Sequence, residues 1–352
     1  MLLSAVLCVA LLAWAFAGVL FGTRPIGDGR SVASYGFSLA DLEIGEGILA
    51  ASGNPRDFLP ALDDPRSVPG GEVLEINRHE RGKFIVSSDR VIGVVVNGAA
   101  RAYPIRLMNA HEVVNDTLGG EPIVVTYSGL CDSAVVASRR IGDRTVRFRV
   151  SGLLLNSNLV MYDLDDAEPS LWSQLEARAI SGPAARAGDR LSLLPGTQVV
   201  AWDTWLAAHP DTTVMERDPA SVKRYKDIDY RRYWSLGELM FDAAPLPEPA
   251  ALERDGLTLM TPVVAVEAGG ERRTYPYPWI AQRAANAPWT AQQGDVTLTF
   301  LWHPAAGTVE VVPTGPGADR TVLVHARYFA WFAATDGGVD LTTDGERREE
   351  AP

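Results

Sequence analysis

Reactive side chains are unevenly spread along this chain. Of its two cysteines and five histidines, Cys131 and His111 stand in one stretch, Arg101 to Gln174, which is also dense in Asn, Ser and Asp. A thiolate in a polar turn, here Ser128-Gly-Leu-Cys131 followed by Asp132 and Ser133, can act as nucleophile, redox centre or soft metal ligand when a cation or a helix N-terminus lowers its pKa. An imidazole in the first turn of a helix is kept neutral by the helix dipole and can serve as base or ligand, which suits His111. Cys131 and His111 are therefore the candidate catalytic pair. Met161 adds a soft sulfur, and thiol, imidazole and thioether together would favour a transition metal such as copper. Asn115, Asp116, Tyr127, Asn156, Asn158 and Gln174 supply amides, a carboxylate and a phenol able to hold a polar ligand. Each has an ordinary structural alternative: a small buried hydrophobe for Cys131, a hydrogen-bonded cap or core histidine for His111, a capping-box partner for Glu112 and Asx turns for the asparagines.

The elements that must position these residues follow from local pattern. Asn109-Ala-His-Glu112 reads as a helix start with Asn109 as N-cap and Glu112 three residues on, stopped by Gly119-Gly120 and Pro122. On such a helix His111 and Asn115 share a face. Ile123 to Tyr127 is β-branched and aromatic, so a strand delivers the thiol turn. Upstream, Val91–Val96 and Ala99–Ile105 flank Asn97-Gly98, a hairpin signal. Downstream, Ser133–Arg139 and Thr145–Val150 are expected to pair about Gly142-Asp143, with Leu159–Tyr162 and Leu171–Leu175 completing the unit and Trp202–Ala208 a short helix. A weaker echo follows: Pro262 to Pro276 resembles Val91 to Pro104, Val296–Phe300 the strand before the thiol turn, and Tyr328–Ala334 the Trp202 helix. The echo has neither His nor acid between Ala281 and Trp289, and no cysteine, although His303 falls near the thiol turn's place. The expected fold is α+β, predominantly antiparallel β with short helices, in two degenerate repeats of one β-rich unit. Its expected parts are an N-terminal anchor or signal peptide over 1–22, a linker and wrapping segment over 23–75, the first repeat with the site over 76–217, a connection over 218–249, the second repeat over 250–340 and a polar tail over 341–352.

The same stretch resembles a prokaryotic family of unknown function, number 3179. The resemblance rests on Arg101-Ala-Tyr-Pro104, His111-Glu-Val-Val-Asn-Asp116, Gly119-Gly-Glu-Pro122, Ser151-Gly-Leu-Leu154, Asn156-Ser157, Leu159-Val-Met-Tyr-Asp163, Leu171-Trp-Ser-Gln174 and Trp202 to Thr212. It covers roughly residues 55 to 215 strongly. The family's CxxC stands here as Ser128-Gly-Leu-Cys131, so the resemblance implies that reversible dithiol exchange is lost in this chain. It implies a fold family and no particular reaction.

Composition bounds the rest. The 352 residues carry 32 Lys and Arg against 44 Asp and Glu, a net charge of -12, which repels phosphate backbones and excludes nucleic acid as the expected partner. Met1 to Gly22 is apolar and uncharged, long enough to span a bilayer, and small-x-small sites within it also suit signal cleavage. Either way the body is expected outside the cytoplasm, anchored at the cell membrane or else secreted or periplasmic. No Walker loop, dinucleotide fingerprint, HExxH or GxSxG is present. Two functions fit: a Cys131/His111 site for metal or thiol chemistry, or a non-catalytic extracytoplasmic binding or interaction module with an Asn-rich pocket.

Overall fold

The structure is a computed structural model that describes residues 25–79, 83–164, 167–226 and 229–341. The expected membrane segment Met1–Gly22 and all but the first residue of the expected tail lie outside the described residues, and no helix among the described ones is long and apolar enough to cross a membrane.

The chain begins with β1 (Leu49–Ala51), β2 (Leu62–Asp63) and β3 (Ser67–Pro69), then a helix, Val73–His79. The hairpin β4 (Arg90–Val96) and β5 (Ala99–Pro104) turns at Asn97 and Gly98. Both turn residues have positive φ, 48° and 82°, the geometry that matches strand twist. A single helical turn, Ile105–Met108, leads into β6 (Val113–Leu118) and β7 (Glu121–Ser128).

Here the structure corrects the sequence reading. No helix runs from Asn109 to the glycines; the helix ends at Met108, and Val113–Leu118 is a strand paired antiparallel to β7. The β-branched pair Val113-Val114 and the Gly119-Gly120 turn, at φ 57° and 80°, favour a hairpin whose burial outweighs the local capping pattern.

Beyond the thiol turn come β8 (Ser133–Ser138), the short pair β9 (Arg140–Ile141) and β10 (Arg144–Thr145), then β11 (Phe148–Leu155), β12 (Asn158–Asp163), β13 (Leu171–Ser173) and β14 (Arg178–Ser181). The expected hairpin about Gly142-Asp143 is thus confined to β9 and β10, while β8 pairs with β7 and β11 with β1 and β12. Strand β15 (Gln198–Ala201) and the helix Trp202–Ala208 precede β16 (Thr213–Met215). The second region holds β17 (Pro262–Ala268), β18 (Glu271–Pro276), the helix Tyr277–Arg283, β19 (Trp289–Gln293), β20 (Val296–His303), β21 (Thr308–Thr314), β22 (Val322–Arg327) and the helix Tyr328–Ala334.

Most pairings are antiparallel and the helices are short, which makes the fold α+β. Strands β6 to β8 form the middle of three layers. Val114, Ile123, Val125 and Val136 face β4, β5 and the Trp202 helix. Val113, Val124 and Ala137 face the opposite way, against Phe148, Leu159, Met161 and Trp172 of the β11–β14 sheet. Alternation along a strand buried on both faces produces this division. The central sheet continues into the second region through one residue pair, His325 of β22 with Ala134 of β8.

Candidate functional site

The turn Ser128 to Cys131 leaves the end of β7 and is covered by the connection between the regions, in particular the helix Arg231–Leu236 and its flanks. Gly129 is required there: a Cβ at this position would sit 2.0 Å from the Tyr230 ring. Trp234 Nε1 donates to Gly129 O (3.0 Å), and Tyr230 stacks on Trp234.

Cys131 is fully buried, and its thiol donates to Ser157 O (3.2 Å). Burial pushes the thiol up to about 12, further raised by Glu112 and Asp132 and only partly offset by Asn158 and Ser128. At neutral pH it is a thiol, the unreactive form.

His111 is held elsewhere. Its Nδ1 must donate to Pro60 O (2.6 Å), because a carbonyl only accepts, so its Nε2 accepts from the Tyr225 hydroxyl (2.8 Å). Burial lowers its pKa, and the neutral ring has no nitrogen left for a metal. No hydrogen bond, ring contact or electrostatic influence joins it to Cys131. Met161 packs with Phe148 and Trp172, in a different core from Cys131. Among the described residues, no group of three or more His, Cys, Asp or Glu is placed to hold a metal ion. The residue types that suggested copper are thus dispersed by the fold.

The amides are spent on architecture. Asn115 clasps both backbone groups of Phe148 and also donates to Asp63. Asp116 accepts from Arg101 and Tyr103. Asn156, in the left-handed region at φ 54°, accepts from the backbone of Ile48 and Ala244, tying the N-terminal segment and the connection to one turn. Asn158 and Gln174 bond each other and Ser133 in a buried network beneath the thiol turn. Among the described residues these amides bond to protein, and Asn158 Oδ1 is left buried without a partner.

Two constellations escaped the sequence reading. The first surrounds Asp132, which receives both terminal nitrogens of Arg90 (3.0 and 2.8 Å), one of Arg327 (2.8 Å) and the Tyr127 hydroxyl (2.6 Å). Burial alone would raise the Asp132 carboxyl, but the two guanidiniums outweigh it and hold it below its usual value. Trp234 covers both guanidiniums, 4.3 Å from Arg327 and 5.5 Å from Arg90. Beside them His325 is buried and neutral, its pKa lowered to about 4 by burial, and its Nδ1 shares a hydrogen bond with the Tyr277 hydroxyl (2.7 Å). These partners come from both regions, and no local signal joins them.

The second is Glu112. Val113 N donates to His111 O (2.7 Å) across it, and its φ is 57°, a tight, strained turn that a glutamate adopts only when its surroundings force it. Among the described residues nothing hydrogen-bonds its carboxyl, and burial alone raises its pKa to about 8. Glu112 lines a cavity of about 140 Å³ together with Phe58, Leu130, Val150, Leu153, Leu154, Leu159, Tyr230, Met240, Phe241, Asn54, Gly152 and Ser52, whose hydroxyl is buried without a partner. The sequence signal was present: an acid between Met108 and the buried run from Val113. The capping-box reading absorbed it. A wider cleft of about 580 Å³, between Arg178 and Arg190 on one side and Arg272 and Trp331 on the other, holds none of the candidate residues.

A three-layer α+β protein with a half-open, mostly apolar cavity beside a buried acid is the class this fold and site define. The chain belongs to the family described as protein of unknown function DUF3179, whose profile matches residues 56–347. No curated protein and no solved structure matches it.

Proposed function

We propose that this protein binds a small, largely apolar molecule in the Glu112 cavity, and that it does so outside the cytoplasm, tethered by its apolar N-terminal segment. We also read the β4-to-Ala208 and β17-to-Ala334 regions as degenerate repeats, the first retaining the site. The unpartnered carboxyl of Glu112 carries the binding reading. A buried polar group costs about 1–3 kcal/mol when left unsatisfied, and backbone strain beside it adds to that cost. Such a group is retained where something other than the fold uses it. Apolar walls with few convergent polar groups are the common form of a small-molecule site, and about 150 Å³ suffices for a molecule the size of benzene.

The test is calorimetric and thermal titration with toluene and methylcyclohexane, comparing the wild type with Met240→Trp. Met240 lines the cavity yet is 62% exposed, so the larger side chain can fill the space without breaking a core. Ligand at ten times its Kd should stabilise the wild type by about 1.4 kcal/mol and the filled variant not at all. No stabilisation of the wild type, or equal stabilisation of both, would overturn the reading.

A further inference from the structure

We infer that the occupant of this cavity presents a carbonyl-type oxygen, gripped by two O–H donors, the Glu112 carboxyl and the Tyr230 hydroxyl. The inference rests on the binding reading above and gives it a ligand class. Tyr230 and Glu112 line the same space and lie close enough that a charge on the acid disturbs the phenol. Neither the phenol oxygen nor the carboxyl has a hydrogen-bond partner among the described residues.

Both groups are also fixed before any ligand arrives. The turn at His111 to Val113 sets the direction of Glu112, while Gly129 lies against the Tyr230 ring and Trp234 stacks with it. Of the other polar side chains at the cavity, Asn54 is engaged with Ser52 O, and both Ser52 and Asn54 sit beside Gly152.

The chemistry of the pair narrows the ligand. Burial keeps the acid protonated at neutral pH and raises the phenol further from ionisation. The site therefore offers these two neutral donors, with the unpartnered Ser52 hydroxyl also at the cavity, and no charge. A cationic amine would have to be stripped of water to meet an uncharged acid, and a hydrocarbon would leave both donors unsatisfied. A carbonyl oxygen has two lone pairs and can take both hydrogen bonds at once. Paired phenol and neutral-acid donors around one oxygen are an effective way to bind such an atom, or to stabilise charge developing on it, in a dry pocket.

Titration calorimetry at pH 6.5 with cyclohexanone, cyclohexanol, methylcyclohexane and cyclohexylamine tests this directly. The ketone should bind at least about tenfold more tightly than the hydrocarbon, each donor supplying roughly three- to tenfold. Tyr230→Phe and Glu112→Leu should each lose about one such factor, and Glu112→Gln, which keeps an N–H donor, should retain part of the Glu112 contribution. Equal binding of ketone and methylcyclohexane by the wild type, tightest binding of the alcohol or amine, or an unchanged preference in Tyr230→Phe would overturn the inference while leaving the cavity a ligand site. Binding of none of the four compounds would overturn both readings.

Discussion

Strands β7 and β20 make a useful contrast. Each follows a hairpin and a short helix; β7 leads to the turn that carries Cys131, and β20 ends at His303. Along β7 every residue after Glu121 is buried, whereas along β20 buried and half-exposed positions alternate until the last residues, which are all half-exposed. The difference is one of cover. The first region has the β11–β14 sheet on its second face and the connection folded over its turn; the three strands β19 to β21 pack on the β17–β18 hairpin with their other face open. The Glu112 cavity, walled by β11, β12 and the connection, lies in the covered region.

That contrast can be broken at the ion pairs first. Asp132→Ala leaves two covered guanidiniums unbalanced and should cost about 3–5 kcal/mol in urea unfolding. Glu310→Ala, which removes the partner of His303 (3.2 Å) at a partly exposed site, should cost under about 1 kcal/mol. Similar losses would mean that cover does not separate the regions.

Next in size is an effect of opposite sign. Below pH 4.5 the Glu112 carboxyl is protonated in both folded and unfolded chains and costs nothing. Between that value and about 8 the folded chain keeps a proton that the unfolded chain has lost, so stability falls as pH rises. Glu112→Gln should therefore stabilise the protein at pH 9 by on the order of a few kcal/mol, and hardly at all at pH 4. A pH-independent difference in unfolding midpoint would contradict the burial of this acid.

Smaller still, Gly129→Ala should cost about 1–3 kcal/mol by driving Tyr230 off the turn, seen as a loss of stability together with weakened cavity binding. The gentlest probe is iodoacetamide at pH 8: Cys131 should stay unlabelled in the native protein and react fully in urea. Rapid native labelling would show that the cover opens.

What the sequence made legible was whatever is encoded locally. The β-branched runs of β4, β7 and β17, the Asn97-Gly98 turn and the Trp202 and Tyr328 helices stand where pattern places them. The helix expected from Asn109 was lost because a capping motif is worth about 1 kcal/mol, while a strand buried on both faces gains several times that from its valines. The same misreading hid Glu112, and with it the cavity. Asp132, Arg90 and Arg327 were invisible for a different reason: their meeting depends on the pairing of β22 with β8, which no short-range pattern specifies.

The clasp between Arg327 and Asp132 joins residues 195 positions apart, and this governs how the molecule is made. The thiol turn stays incomplete until β22 has been synthesised and has docked against β8, where Arg327 N donates to Cys131 O. Contacts so distant in sequence form late, after a large loss of chain entropy. A nascent chain carries the Ala134 end of β8 unpaired until then, so the thiol turn is among the last parts of this protein to be completed and among the first exposed to misassembly.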